Sequence, residues 1–215
     1  MRSSSSAKPG NAAGQETRQA VLKCALRLFN ERGVDRVSMR DVAAEAGISV
    51  GNLTYHFPRK KDLVTTLMAE DVQERLVQTP TTGLLQLDQA FSRMLDALLR
   101  FPFFFLDDQA QQMVDAPVVN GTLQIHGQLD HILDDLIALG LFSPAFQGTQ
   151  RRDVMAILLL SHISWLKFCV RGNQVFPMSG RELLDAHWAV LRPWLTEAGQ
   201  RECAEMLKNR RENEY

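Results

Sequence analysis

The chain has 215 residues, 45% of them hydrophobic, enough to bury a substantial core as one large domain or two small ones. Its formal net charge of −1 hides an asymmetry, with eleven Lys/Arg against six Asp/Glu through Asp62 and thirteen against nineteen beyond it. A basic head on an acidic body fits a nucleic-acid reader joined to a module that avoids nucleic acid, although chance segregation also produces differences of this size. Cys24, Cys169 and Cys203 are odd in number and widely spaced, which speaks against a disulfide framework and for reduced thiols packed as small apolar residues. The opening MRSSSSAKPGNAAG lacks the apolar stretch of a signal peptide, and the most apolar run, residues 154–170, contains Ser161, His162, Ser164 and Lys167. The expectation is a soluble cytoplasmic protein with no membrane segment.

Residues 1–14 are rich in Ser, Ala and Gly and read as a disordered tail. Residues 15–32 carry Val21, Ala25, Leu28 and Phe29 on one helical stripe, stopped by Gly33. Ser38 is a good N-cap for a short helix whose inner face is Val42, Ala43 and Ala46. Gly47 can turn left-handed at its end, and Ile48 plugs the corner. Ser49 caps a second helix over residues 50–56, with Val50, Leu53 and Phe57 inward. Gly51, Asn52, Thr54, Tyr55 and His56 remain outward, small or hydrogen-bonding and without a carboxylate among them.

This is the pattern of a helix-turn-helix, one helix bracing while the second presents polar side chains to a major groove. An ordinary αα-corner has the same geometry. The flank separates the two: Pro58 ends the helix, and Arg59, Lys60 and Lys61 stand at the next helix start, where three cations oppose the helix dipole unless an anion joins them.

Residues of about 17–71 resemble the N-terminal domain of the TetR family of bacterial regulators. The matching pieces are LFNERG and VSMRDVAAEAGISVGNLTYHFPRKKDL. The resemblance implies a three-helix DNA reader whose second motif helix enters the groove, with Ser49, Gly51, Asn52, Thr54, Tyr55, His56 and Lys60 at the DNA. Ser38 and Arg40, at the start of the first motif helix, are further candidates. Thr54 stands where the family frequently has an aromatic residue.

Residues 60–78 read as a long amphipathic helix broken by residues 79–83, and as the mechanical link between the halves. Helices follow at 84–100, 103–114 and 118–139, then a loop over 140–148. The run Phe101, Phe103, Phe104, Phe105 needs no ligand as helix core and also suits the wall of an apolar pocket. The candidate ligand-binding residues are Phe101, Phe104, Phe105, Met113, His162 and Trp165. His126 and His131 are five apart, about 140° around a helix, so they do not share a ligand position and no metal is expected. Helices over 150–171 and 180–197 are apolar on most of their circumference and must be covered on both sides. One cover is the fold and the other a second copy, with Leu159, Ile163, Leu166, Leu184, Trp188 and Leu191 as the candidate dimer interface. Pro193 should interrupt the final helix, and residues 201–215 are charged and expected to fray.

The expected fold class is all-α: a helix-turn-helix domain over residues 15–62, a larger helical ligand-binding and dimerisation domain over 63–209, and a frayed end at 210–215. The expected function is a homodimeric transcriptional regulator, a repressor, binding a pseudo-palindrome in double-stranded DNA and released by a small apolar or aromatic effector. The alternative is a helix-turn-helix protein without a small-molecule sensor. No GxSxG, HExxH, GxGxxG or P-loop pattern is present, so neither an enzyme nor a cofactor is expected.

Overall fold

The computed structural model describes residues 9–76, 81–170 and 177–212. Among them every regular element is helical, with one isolated antiparallel bridge between Phe142 and Leu195. The chain forms two compact units. The first takes residues up to Asp71 together with Phe103–Val119; the second takes Val72–Pro102 and the residues from Asn120 onward.

In the first unit, α1 (Pro9–Arg32) begins ahead of the expected Gln15 and ends at Gly33. Its buried stripe is Val21, Leu22, Ala25, Leu28 and Phe29. It is followed by α2 (Met39–Glu45), α3 (Val50–His56) and α4 (Lys60–Leu76). The expected end of α4 at Gln78 and the start of the break after it lie outside the described residues. The segment read as one helix over 103–114 is two short ones, α6 (Pro102–Phe105) and α7 (Asp108–Gln112), the latter started by the Asp107 carboxylate accepting from the Gln109 amide. Three bonds tie this segment to the reader helices. The Phe103 amide donates to Asn30 Oδ1 at 3.4 Å, the Thr65 hydroxyl to the Met113 carbonyl at 3.1 Å, and Lys61 Nζ lies 3.2 Å from Asp115. The Phe103 ring sits 5.4 Å from that of Phe29.

The second unit is built from α5 (Leu84–Arg100), α8 (Ala116–Ala138, from Asn120 on), α9 (Gly148–Trp165, continued by a π-helical turn at Leu166–Val170), α10 (Gly180–Leu191) and α11 (Glu197–Glu212). Pro193 breaks the chain after α10, where Arg192–Trp194 forms a single 3-10 turn. The charged end expected to fray is instead a packed helix as far as Glu212, with residues 213–215 outside the described range. Its apolar content is small, so two other devices hold it. Gly199 lets the backbone pass so close to the Leu141 carbonyl that an added Cβ would lie 2.1 Å from that oxygen. Arg210 pairs with buried Asp88 and, at 2.9 Å, with Asp185. Asp88 also accepts from the Trp188 indole at 2.8 Å, so one carboxylate joins α5, α10 and α11.

A second buried polar group lies between α9 and α10. The Ser161 hydroxyl donates to the Leu158 carbonyl at 2.6 Å and therefore accepts from His187 Nε2 at 2.9 Å. His187 Nδ1 is left as a buried acceptor with no hydrogen-bonding partner. His162 Nδ1 donates to the same Leu158 carbonyl, its ring 4.6 Å from that of His187. Burial, and secondarily the neighbouring His162, pushes the His187 pKa down to about 3, and burial lowers His162 as well. The unfolded chain takes up a proton near pH 6.5 that folded His187 refuses, so stability falls as pH drops below that value. One such proton is worth about 1.4 kcal/mol per pH unit, or about 2 kcal/mol between pH 6.5 and 5. Urea denaturation at pH 7.5 and pH 5 should show His187→Phe losing less stability than the wild type by about that amount. Equal losses in the two proteins would show that His187 is not held neutral.

Candidate nucleic-acid interface

The reader is assembled by short-range chemistry. Ser38 and Asp41 cap each other: the Ser38 hydroxyl accepts from the Asp41 amide at 3.2 Å, and the Ser38 amide donates to Asp41 Oδ2 at 2.7 Å. The hydrogen bonds from Ser38 also hold the Asp41 carboxyl below its ordinary pKa. At the other end of α2, Gly47 has φ +67°, its amide donating to the Ala44 carbonyl and the Ile48 amide to the Ala43 carbonyl. This paired closure is available to glycine at little steric cost. Ser49 then caps α3 through the Asn52 amide at 3.1 Å. Leu53 and Phe57, both buried, hold the helix down, and the Arg18 guanidinium lies 5.2 Å above the Phe57 ring. Val50, expected inward, is 40% exposed.

What α3 presents outward is Ser49, Gly51, Asn52 and Tyr55, the last 83% exposed, with Thr54 and His56 half-buried beside them. The Tyr55 and His56 rings meet edge-on at 5.2 Å. The Thr54 hydroxyl donates to the Gly51 carbonyl, which commits its proton. Gly51 has no internal reason to be glycine: a Cβ there would meet nothing nearer than Ser49 Oγ at 3.9 Å, and its backbone is ordinary helix. Arg40 is exposed on α2.

The cations after Pro58 have protein partners. Arg59 pairs with Asp62 at 3.2 Å, Lys61 with Asp115, and Lys60 Nζ donates to the Val34 carbonyl at 2.8 Å. Their position at a helix start is thus explained partly by carboxylates of the same unit. Lys60 differs in having spent only one of three donors, on a neutral oxygen.

The remaining predicted site residues are dispersed. Phe104, Phe105 and Met113 lie in the first unit, whereas Phe101, His162 and Trp165 lie buried in the second, so the six do not line one cavity. Trp165 donates to the Met178 carbonyl at 2.7 Å. The second unit has its own small cavity, of about 20 Å³, between α5, α8 and α9, lined among others by Phe91, Arg93, Met94, Gln128 and Leu159. Sequence reasoning missed it, although an arginine following Phe91 on a largely apolar helix was a usable signal. The expected dimer residues need revision. Leu166, Leu184, Trp188 and Leu191 are buried in the core of their own unit and have no surface to offer. Leu159 lines the cavity, and only Ile163 of the six is exposed, at 39%. The uncovered apolar face is the opposite stripe of α9 with its neighbours on α10. Ile157, Phe168 and Val190 are exposed there around a groove of about 470 Å³ floored by Trp165 and His187, and Leu160 is exposed on α9 outside the groove.

Among the described residues no group of three or more His, Cys, Asp or Glu is placed to hold a metal ion, and no helix is long and apolar enough to cross a membrane. Asp130 and Asp134 instead receive Arg151.

Residues 21–67, which contain α2, α3 and their braces, match the family of bacterial regulatory proteins named tetR. Similar curated proteins include the HTH-type transcriptional regulator AcrR of Shigella flexneri, 43% identical over 53 residues, and the HTH-type transcriptional repressor BepR of Brucella suis, 27% identical over 157 residues. The first alignment covers 25% of each chain, the second 67% of this chain and 71% of BepR. A TetR-family regulator from Marinobacter aquaeolei has a solved structure that superposes with a TM-score of 0.68 at 22% identity, over 90% of this chain and 98% of that one, which is a likeness of fold. Reader sequence and whole-chain fold agree: residues 21–67 match the tetR family of bacterial regulatory proteins as a helix-turn-helix DNA-binding domain, and the chain has the fold of the solved TetR-family regulator.

Proposed function

We propose that the protein is a homodimeric repressor whose two readers occupy successive major grooves of a pseudo-palindrome, about 34–36 Å apart, and are released by a small molecule held in the second unit. Gly51 carries the DNA part of this reading. A mid-helix glycine costs roughly 0.5–1 kcal/mol relative to alanine. The fold gains nothing from it, so its use is to let another molecule approach the α3 backbone. Asn52 and Tyr55 beside it are the outward hydrogen-bonding groups, and Lys60 and His56 suit phosphate oxygens. BepR, the relative aligned over most of the chain, is a repressor by name. The dimer part is supported by the exposed α9–α10 face, because apolar patches of this kind mark interaction sites.

A regulator without a sensor is favoured by one observation, the size of the cavity, which at about 20 Å³ holds one water. A screen of small molecules for release of the protein from its selected DNA site separates the readings. Release by any compound that binds the second unit stoichiometrically supports the sensor, and a broad screen yielding none supports the alternative.

Three substitutions test the DNA assignments by titration at several salt concentrations against a site selected from random duplexes and a scrambled duplex. Gly51→Ala should raise folding stability by roughly 0.5–1 kcal/mol while weakening binding. Lys60→Met should weaken both duplexes alike and lower the salt slope by about one per half-site. Asn52→Ala should lose about 1–3 kcal/mol on the selected site only. Unchanged DNA binding by Gly51→Ala would remove the argument from close approach.

For the dimer, sedimentation at micromolar concentration should give twice the chain mass. Leu160→Glu should yield a folded monomer with a wild-type helical signal, since the residue is exposed within one chain and becomes covered by the second. Leu191→Glu should unfold the protein, because it places an unpaired charge in the protomer's own core. A monomeric wild type at that concentration contradicts the reading.

A further inference from the structure

Three part-buried arginines of the second unit differ in their partners. Arg151 meets Asp130 and Asp134, and Arg210 meets Asp88 and Asp185. Arg93 makes no hydrogen bond or ion pair with any described residue. It nevertheless sits on the wall of the cavity between α5, α8 and α9, where burial pulls its guanidinium below the ordinary pKa. Arg75 lines the same cavity, its Nη1 3.9 Å from the Met94 sulfur, and no Asp or Glu does. The other walls are mainly apolar, with Phe91, Ile125, Leu129 and Ile132 all buried. The Arg93 guanidinium therefore borders a largely apolar space whose lining includes no carboxylate.

We propose that this cavity takes the anionic group of an otherwise apolar small molecule, a carboxylate or sulfonate on a hydrocarbon or aromatic body, with the Arg93 guanidinium as its anchor. The inference rests on the sensor reading above and narrows it to a ligand class. A guanidinium kept partly out of water is unfavourable until an anion meets it, and its planar fork matches a carboxylate or sulfonate through two parallel hydrogen bonds. An arginine retained only for structure would have an internal carboxylate, as Arg151 and Arg210 do. The present volume of about 20 Å³ is set in part by Met94, an unbranched side chain that can turn aside to admit a ligand. Gln128, whose amide donates to the Leu76 carbonyl at 3.4 Å, keeps its side-chain oxygen for a hydroxyl or amide on the ligand body.

The test uses two fluorescent probes that share one aromatic body, 8-anilino-1-naphthalenesulfonate and the uncharged N-phenyl-1-naphthylamine, titrated into the full-length protein. The wild type should bind the sulfonate at least about tenfold more tightly, and Arg93→Met should erase that preference while leaving the uncharged probe bound. Arg93→Lys should restore part of the preference, since it keeps the charge without the fork. Ala90→Phe, which fills the cavity and lies away from the α9–α10 groove, should exclude both probes. Circular dichroism melts on each variant confirm folding, and Arg93→Gln serves in place of Arg93→Met if that variant melts early. Equal affinity of the wild type for the two probes, or an anion preference that survives Arg93→Met and Arg93→Gln, overturns the proposal. If the uncharged probe alone binds and also releases DNA, the anion assignment fails while the sensor reading stands. If neither probe binds, the anion assignment fails, and the sensor reading is decided separately by the DNA-release screen.

Discussion

The reader depends on the backbone closure at Gly47. Helices of seven residues such as α2 and α3 are unstable alone in water, because nucleation is not offset by so few hydrogen bonds. The left-handed residue at 47 turns the chain so that Leu53 and Phe57 enter the same core as Val42 and Ala43. Packing then supplies the stability that length does not. Ser38 and Ser49 satisfy amides at the two helix starts without drawing on any side chain that α3 presents outward. The surface of α3 is left free of structural duties. That is why a glycine, an amide and an exposed phenol can share it, and why it is the part of the unit open to selection for DNA.

This division explains how much of the molecule was legible in the sequence. The caps, the Gly47 corner and the inward placement of Leu53 and Phe57 involve partners within five positions, or a single helical period, so residue types alone indicate them. The second unit is different. α9 and α10 are apolar on nearly every face, and which face is covered depends on helices distant in sequence. Leu184, Trp188 and Leu191 became core because α9 and α5 lie against α10, while α11, which has few apolar residues to announce it, packs on α5. It is held by a glycine contact at Leu141 and an ion pair to Asp88, neither of which leaves a periodic signature. The Phe-rich run was dispersed for a similar reason. Backbone and side-chain bonds from Asn30 and Thr65, far back in the chain, draw residues 103–113 into the first unit.

Asp88 gives α5 two unlike sides. One side is fixed by a carboxylate that receives Trp188 and Arg210, a buried charge network that is costly to disrupt once one partner is removed. Five residues on, about 140° around the helix, Arg93 faces the cavity. Under the proposed binding, a ligand pushing on this side would be resisted by the network on the other, and α5 would respond as a rod in preference to bending locally. Close-packed helices shift between discrete arrangements for this reason, because interiors at crystal-like density do not deform continuously.

The route from such a shift to the DNA follows the chain. It crosses between the two units three times, within α4 after Asp71, between Pro102 and Phe103, and within α8 after Val119. The last two crossings bound the segment that carries Met113 and Asp115, which hold Thr65 and Lys61 of α4. They are also the continuations of α5 and α8, the helices that supply most of the cavity wall. Under the proposed mechanism a ligand separating α5 from α8 acts on both ends of a segment that belongs to the reader, and α4 carries the same disturbance to Lys60. The reciprocal effect follows from linkage: an operator that prefers one reader spacing must weaken the ligand by the factor by which the ligand weakens the operator.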